Sequence, residues 1–275
     1  MHYSLSNGQK SRSLGANVLG AATHKMSHSL EGNCVTSFSP MMAHHGNDIC
    51  DNSATPASNQ VRIQVLIEGF YDEDLGEMRT DLSKESLLPL SQPFNVAPTN
   101  YAGTEAVDSM PTNIVDWIFL ELRDSSNMDN IVHQQAVLLR EDGTIVNLSG
   151  IDKIPFEGIS SAKYFIALFH QNHLPIISSS PHPINADGMV YDFTLAATAA
   201  MGTEQLKDKN GKYMMYSGDF DSNGLINNTD YNLWKINSSN LNVYSPADAD
   251  GNGIINSLDY NLWKVNLSKI GMLTR

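Results

Sequence analysis

The stretches VRIQVLI (61–67) and IVDWIFLELR (114–123) decide the fold class of this chain. In the first, apolar side chains occupy every second position from Val61 to Ile67, a period that predicts a strand with one buried face. Five later runs have the same short, strand-forming character: HQQAVLLR (133–140), TIVNLS (144–149), KYFIALFH (163–170), LPIIS (174–178) and MVYDFT (189–194). Glu141-Asp142-Gly143 lies between two of them and predicts a hairpin turn. Because no helical period separates these runs, we predict a mainly β fold, an antiparallel, immunoglobulin-like β-sandwich.

Composition and charge exclude several classes of protein. The chain has 275 residues, with 17 Lys and Arg against 30 Asp and Glu, and carries a net charge of −13. This balance excludes nucleic acid as a partner, because too little positive charge is available to offset the phosphates. No apolar run of about 18 residues is present, which excludes a membrane-spanning helix. The charged fraction of 17%, together with abundant Asn, Ser and Thr, indicates a secreted or cell-surface protein.

The charge is distributed unevenly and divides the chain into three predicted regions. Residues 1–60 contain three basic and three acidic groups, residues 61–210 contain nine and 21, and residues 211–275 contain five and six. The first region has neither a helical nor a strand period, so we predict an extended or disordered leader. The second region is the β-sandwich, and the third is a duplicated module.

Several features of the leader stay open at the level of sequence. It is loosely attached, or it adds a strand to the sheet edge of a neighbouring subunit through ANVLGAA (16–22) or NCVTSFSPMM (33–42). It lacks the apolar core of a signal peptide, so the export route is open. The sequence also leaves open whether Cys34 and Cys50 form a disulfide. Five histidines match no standard metal-ligand spacing and are expected to be solvated: His2, His24, His28, His44 and His45.

Catalytic motifs are absent from the sequence of the central region. It contains no GxSxG, HExxH or Walker loop, and we predict a protein that is not an enzyme, with no catalytic residues. The best candidate pair is His170 and His173, at the end of a predicted strand. Residues three apart on one continuous strand point to opposite faces and converge on a metal only if a turn intervenes, so we predict a structural hydrogen-bonding role for them rather than metal binding.

The C-terminal region contains an internal repeat. DFDSNGLINNTDYNLWKINSS (219–239) and DADGNGIINSLDYNLWKVNLS (248–268) are identical at 14 of 21 positions. Each contains D-x-D-x-N-G-x-I-N-x-x-D, which has the ligand spacing of an EF-hand-like calcium loop. The pattern predicts two Ca²⁺ ions, one in each loop. The predicted ligands are Asp219, Asp221, Asn223, Leu225, Asn227 and Asp230 in the first loop, and Asp248, Asp250, Asn252, Ile254, Asn256 and Asp259 in the second.

The residue types in the repeat have physical reasons. Calcium takes six to eight oxygen ligands, and alternating carboxylates and amides wrap around it as the chain turns. Gly224 and Gly253 at position 6 permit the sharp reversal. All six acidic groups of residues 211–275 occupy position 1, 3 or 12 of a loop. Because clustered carboxylates repel one another without a cation, we expect this region to need calcium for folding.

The paired loops resemble a dockerin type I module over about residues 217–270, with DYNLWKIN and DYNLWKVN as its helices. The preceding region is similar to the β-sandwich that precedes such repeats in bacterial secreted and surface proteins, a likeness carried by MRTDLSKESLLPLSQPFN, NYAGTE, VDWIFLELR, HQNHL and YDFT. Dockerins that bind a cohesin tend to carry small hydroxylated pairs at loop positions 10 and 11. Here those positions hold Asn228-Thr229 and Ser257-Leu258, so cohesin recognition does not follow from calcium binding. Trp234 and Trp263 are expected to be buried anchors.

Two functions remain possible for such a chain. The first is an extracellular structural protein that self-assembles into a surface fibre or layer, with calcium stiffening the repeat. The alternative is a dockerin-like module that docks to a cohesin-like partner or anchors to the cell surface. The expected partner is therefore a second copy of the chain or a surface protein. Four Asn-x-Ser/Thr sequons also leave glycans open: Asn147, Asn227, Asn237 and Asn266.

Overall fold

The computed structural model describes residues 58–275, which belong to one compact unit. The predictions for residues 1–57 lie outside the described residues. They include the leader, its two strand-exchange segments, the cysteine pair and the five histidines. None of the described helices is long and apolar enough to cross a membrane.

The described chain is mainly β, with few helices. The strands are β1 (Asn59–Gln64), β2 (Tyr71–Asp72), β3 (Glu77–Met78), β4 (Ile114–Asp124), β5 (Ile131–Arg140), β6 (Ile145–Val146), β7 (Ile154–Phe156), β8 (Ala162–His170), β9 (His173–Ile177), β10 (His182–Ile184), β11 (Val190–Asp192), β12 (Lys207–Lys209) and β13 (Lys212–Met214). The helices are α1 (Asp81–Lys84), α2 (Asn228–Asn237) and α3 (Ser257–Val265), with a short 3₁₀ turn at Ala197–Ala199.

Two main sheets enclose the core. The smaller has the order β11-β1-β7, and the larger has the order β10-β8-β4-β5-β6 with β9 paired to β8. Apolar side chains of both sheets, such as Ile63 and Trp117, are fully buried in one cluster. The strands carry alternating or continuous apolar residues, so each sheet has an apolar face. This face is buried by packing against the other sheet.

The β5–β6 hairpin and the alternation in the first strand follow the sequence pattern. Leu138 pairs with Val146, and Gly143 adopts a φ of +85° in the turn, which confirms the predicted hairpin. Val61 and Ile63 are fully buried, whereas Arg62 between them is half-buried.

One pairing corrects the expectation of a wholly antiparallel arrangement. β1 pairs with β7 in antiparallel fashion but with β11 in parallel, with Ile63 opposite Tyr191. Two strands joined by a tight hairpin must be antiparallel, but β1 and β11 lie far apart in the chain, so their long connection permits the parallel direction.

The repeat forms two short helices that begin with the same cap. Asn227 and Asn256 accept a hydrogen bond from the amide of Thr229 or Leu258, and the carboxylate three positions after each Asn completes a capping box. A second buried cluster joins these helices to the sheets, because it contains both Trp263 of α3 and Leu174 of β9.

Candidate metal centres

Two groups of three aspartates lie in the repeat at equivalent positions. Asp219, Asp221 and Asp230 each place a carboxylate oxygen within 4.8 Å of the others. Asp248, Asp250 and Asp259 form the second group with the same spacing. Each group therefore brings together positions 1, 3 and 12 of one loop, which the sequence pattern selects as ligands.

Backbone amides hold these carboxylates in place. In the first loop, the amide of Gly224 donates to Asp219 Oδ2 at 2.9 Å, and the amide of Phe220 donates to Asp230 Oδ1 at 2.7 Å. The second loop repeats both bonds, at 2.8 Å from Gly253 and 2.7 Å from Ala249. The glycines have φ values of +87° and +77°, which favour a residue without Cβ.

The carboxylates lie in an environment that disfavours their charge. Burial, together with neighbouring carboxylates, raises the pKa of Asp248 to about 8 and the pKa of Asp230 and of Asp259 to about 6. Burial also raises the pKa of Asp219 well above its usual value. Burial raises the pKa of Asp250 too, and the nearby charge of Arg79 acts in the opposite direction. These raised pKa values indicate buried carboxylates without enough positive charge beside them.

The other predicted ligands lie on the same two loops. The amide oxygens of Asn223 and Asn252 at position 5 accept hydrogen bonds from the backbone two residues further on. The side-chain oxygens of Asn227 and Asn256 cap the helices. Leu225 and Ile254 offer only backbone carbonyls. The ligand roles of all twelve residues stay predictions.

Reciprocal contacts relate the two halves of the repeat. The indole of Trp234 donates to the carbonyl of Asn256 at 2.8 Å, and the indole of Trp263 donates to the carbonyl of Asn227 at 2.9 Å. Their rings also contact Tyr231 and Tyr260 between the helices. Trp263 is buried and Trp234 is half-buried, so these residues join the two loops to each other.

The second loop also packs closely against the sheets. Asn172 donates from Nδ2 to the carbonyl of Asp248 at 2.7 Å, and Arg79 donates to the carbonyl of Asp250 at 3.1 Å. Ser217 donates from its hydroxyl to the carbonyl of Ala249 at 3.3 Å. The geometry of this loop is therefore coupled to residues outside the repeat that the ligand pattern does not include.

The two histidines of the HQNHL segment lie on either side of the Gln171-Asn172 pair, in which Asn172 contacts the second loop. Gln171 and Asn172 form a turn between β8 and β9, so the Nδ1 atoms of His170 and His173 lie 2.9 Å apart. The prediction that they point to opposite faces is wrong, because it assumed one continuous strand. His170 contacts Asp116 at 3.1 Å and His173 contacts the carbonyl of Glu68 at 2.7 Å, in the predicted structural role. Burial and the neighbouring His170 lower the pKa of His173 well below its usual value.

Removing the Asn172 side chain is expected to weaken this junction. Asn172→Ala leaves the buried Asp248 carbonyl without its donor, which costs about 1–3 kcal/mol of unfolding free energy. Urea denaturation measures the change, with Asn127→Ala in an exposed turn as the control, expected within about 0.5 kcal/mol of wild type. Equal stability of the two variants would contradict the coupling.

Comparisons with known proteins assign no family. The chain matches no protein-family model and no curated protein. Solved structures similar to it include two type II cohesin–X-dockerin complexes, both interface mutants, from Acetivibrio cellulolyticus. The N-terminal interface mutant shares 12% identity over 56% of this chain and 82% of that chain, with a TM-score of 0.35. The C-terminal interface mutant shares 9% over 78% and 97%, with a TM-score of 0.39. Similarity at this level assigns no function.

Proposed function

We propose that this chain is a non-catalytic, extracellular protein that binds two calcium ions, one in each loop of the repeat, and uses the calcium-held helices as a protein-interaction module. The observation that carries the calcium assignment is the pair of equivalent, largely buried aspartate groups. None of the salt bridges within residues 58–275 involves these six carboxylates. A bound cation would supply the missing positive charge.

The donor atoms fit calcium in preference to other metals. Each site offers carboxylate, amide and carbonyl oxygens but no thiolate or imidazole, a set typical of hard cations. Six candidate donors on a 12-residue loop provide the coordination number that calcium takes. Magnesium demands a more regular octahedron at shorter distances and usually keeps several waters.

The outer faces of the two helices support docking to another protein. Each helix exposes a matching stripe of side chains: Asn228, Thr229, Asn232, Lys235 and Ile236 on α2, and Ser257, Leu258, Asn261, Lys264 and Val265 on α3. Ile236 and Val265 hold equivalent positions and are 76% and 63% exposed. Aliphatic side chains exposed at equivalent positions of two helices, on a polar surface, support a binding face.

This surface favours the docking alternative over self-assembly as a fibre. The fibre hypothesis depends on strand exchange by residues 1–60, most of which lie outside the described residues. The docking hypothesis depends on α2 and α3, whose exposed stripes combine polar side chains with aliphatic ones. Loop positions 10 and 11 lie on those stripes, so Asn228-Thr229 and Ser257-Leu258 would be among the residues that contact the partner.

Placing a charge in the two stripes is expected to abolish docking. Purified type I and type II cohesin modules, immobilised on a sensor surface, serve as probes for the full-length chain in calcium and in chelator. We expect binding in calcium only, and at least a tenfold loss of affinity for Ile236→Asp with Val265→Asp, because each carboxylate would be buried unpaired.

The control places the same charges elsewhere. Ile151→Asp with Leu195→Asp alters two exposed aliphatic residues outside the repeat and should leave binding unchanged. Binding by neither cohesin type, or equal losses in both double variants, would contradict docking through the helices. Calcium-dependent polymers in sedimentation velocity that disappear when residues 1–60 are removed would instead support the fibre hypothesis.

A further inference from the structure

Three functional groups from distant parts of the chain meet at the C-terminal end of α3. Lys207 is the first residue of β12, Glu68 lies four residues after the end of β1, and Asn266 is the C-terminal cap of α3. The Lys207 Nζ lies 3.2 Å from Asn266 Oδ1 and 3.5 Å from Glu68 Oε1. Asn266 Nδ2 donates to Glu68 Oε2 at 2.5 Å. An amine, a carboxamide and a carboxyl group are thus in mutual contact.

The surroundings fix the orientation of the carboxamide. Asn266 is fully buried, and its Nδ2 also donates to the carbonyl of Ser217 at 2.8 Å. Both amide hydrogens are therefore engaged, and the carbonyl side of the group faces Lys207. Glu68 is buried and accepts a further bond from the Ser217 amide at 3.2 Å. The Lys207 side chain is only 30% exposed. The carboxamide and the carboxyl group are therefore shielded from water, whereas Lys207 reaches them from a partly exposed position.

We propose that Lys207 and Asn266 form an intramolecular isopeptide bond, with Glu68 as the proton carrier. Glu68 takes a proton from the Lys207 ammonium, which frees the Nζ lone pair. Nζ attacks Cγ of Asn266, and the carbonyl electron pair moves onto Oδ1. Glu68, now protonated, gives its proton to Nδ2 and takes one from Nζ. The electron pair returns from Oδ1 to re-form the carbonyl, the Cγ–Nδ2 bond breaks, and ammonia leaves. One amide is exchanged for another, with no oxidant or cofactor.

The bond would join β12 to the end of α3. Most of the repeat lies between its two ends in the chain, so calcium loss could loosen the loops but could not separate α3 from the β12–β13 hairpin. Full burial of Asn266 also keeps its side chain from a glycosylating enzyme, although the residue begins a sequon. The proposed bond depends on Lys207, Glu68 and Asn266 alone and would form whether or not the loops bind calcium.

Mass spectrometry of the denatured full-length chain tests the bond. We expect the wild-type mass to be about 17 Da below the sequence mass, because ammonia is lost. Lys207→Arg should have the mass calculated from its own sequence. It serves as the reference, because its N-terminus is processed as in wild type. Lys209→Arg is the matched control in the same strand and should keep the deficit. Trypsin should release a branched peptide that joins residues 164–209 to residues 265–269.

A variant of the proton carrier separates chemistry from packing. Glu68→Gln keeps hydrogen-bonding capacity but cannot carry the proton, so its mass should equal the sequence mass while its near-ultraviolet circular dichroism stays native. A wild-type mass equal to the sequence mass, with a linear peptide 265–269, would overturn the proposal. So would an unchanged deficit in Lys207→Arg, whose guanidinium is not a competent nucleophile at neutral pH.

Discussion

Replacing Asp219 and Asp248 together by alanine is expected to abolish the rise in melting temperature that calcium gives the wild-type protein. Each substitution removes position 1 of a loop and leaves its group with two carboxylates. At a free calcium concentration about 1,000 times Kd, each site would stabilise the folded chain by about 4 kcal/mol. For a unit of this size, the loss of both sites lowers the melting temperature in calcium by an amount on the order of 10 °C or more.

Differential scanning calorimetry of the full-length chain, in calcium and in chelator, measures this effect. Asp187→Ala is the control, because Asp187 lies exposed in a turn outside the repeat. The control should keep the full calcium response. The single variants Asp219→Ala and Asp248→Ala should each keep part of it. A double variant that melts as wild type does in both conditions would show that calcium binds elsewhere or not at all.

Without calcium, the stability of the chain is expected to fall as the pH rises from about 5 to about 8. The pKa of Asp248 lies at about 8 and that of Asp230 and Asp259 at about 6 in the folded chain, above the ordinary value of 3.8 that applies after unfolding. The folded state therefore binds more protons than the unfolded state across this interval, which makes the slope of unfolding free energy against pH negative. A tenfold difference in proton affinity between the two states corresponds to about 1.4 kcal/mol, so a change of a few kcal/mol in unfolding free energy is expected.

Calcium should reverse this dependence. A bound ion favours the charged carboxylates and displaces their protons, so the stabilisation that calcium provides grows with pH and is lost as the pH falls. Urea titrations at several pH values, in chelator and in calcium, give both slopes. The double variant Asp219→Ala with Asp248→Ala should flatten the slope in chelator. Rising stability with pH in chelator would contradict the assigned environment of these aspartates.

Local sequence patterns predict a large part of the fold. The two-residue apolar period from Val61 locates the first buried strand, and Gly143 marks a hairpin that the structure confirms. The spacing of Asp, Asn and Gly in each loop predicts that positions 1, 3 and 12 converge, and the aspartates do lie together. These predictions agree with the structure because each feature depends on neighbours within about a dozen residues.

Contacts between distant segments could not be predicted in this way. The parallel pairing of β1 with β11 and the meeting of Glu68 with Asn266 both depend on tertiary packing. The turn that brings His170 and His173 together is local, but the strand-like run around it does not mark it. The two loops carry the same ligand pattern, yet the second lies against Phe70 and Arg79 whereas the first lies against residues 271–275. No periodic signal distinguishes them, because the difference lies in what each loop packs against.

Native mass spectrometry of the full-length chain in calcium tests the central claim most directly, because it counts bound ions. We expect two calcium ions per chain for wild type, one each for Asp219→Ala and Asp248→Ala, and none for the double variant. A wild-type chain without bound calcium would contradict the proposed calcium sites, as would a double variant that retains two ions.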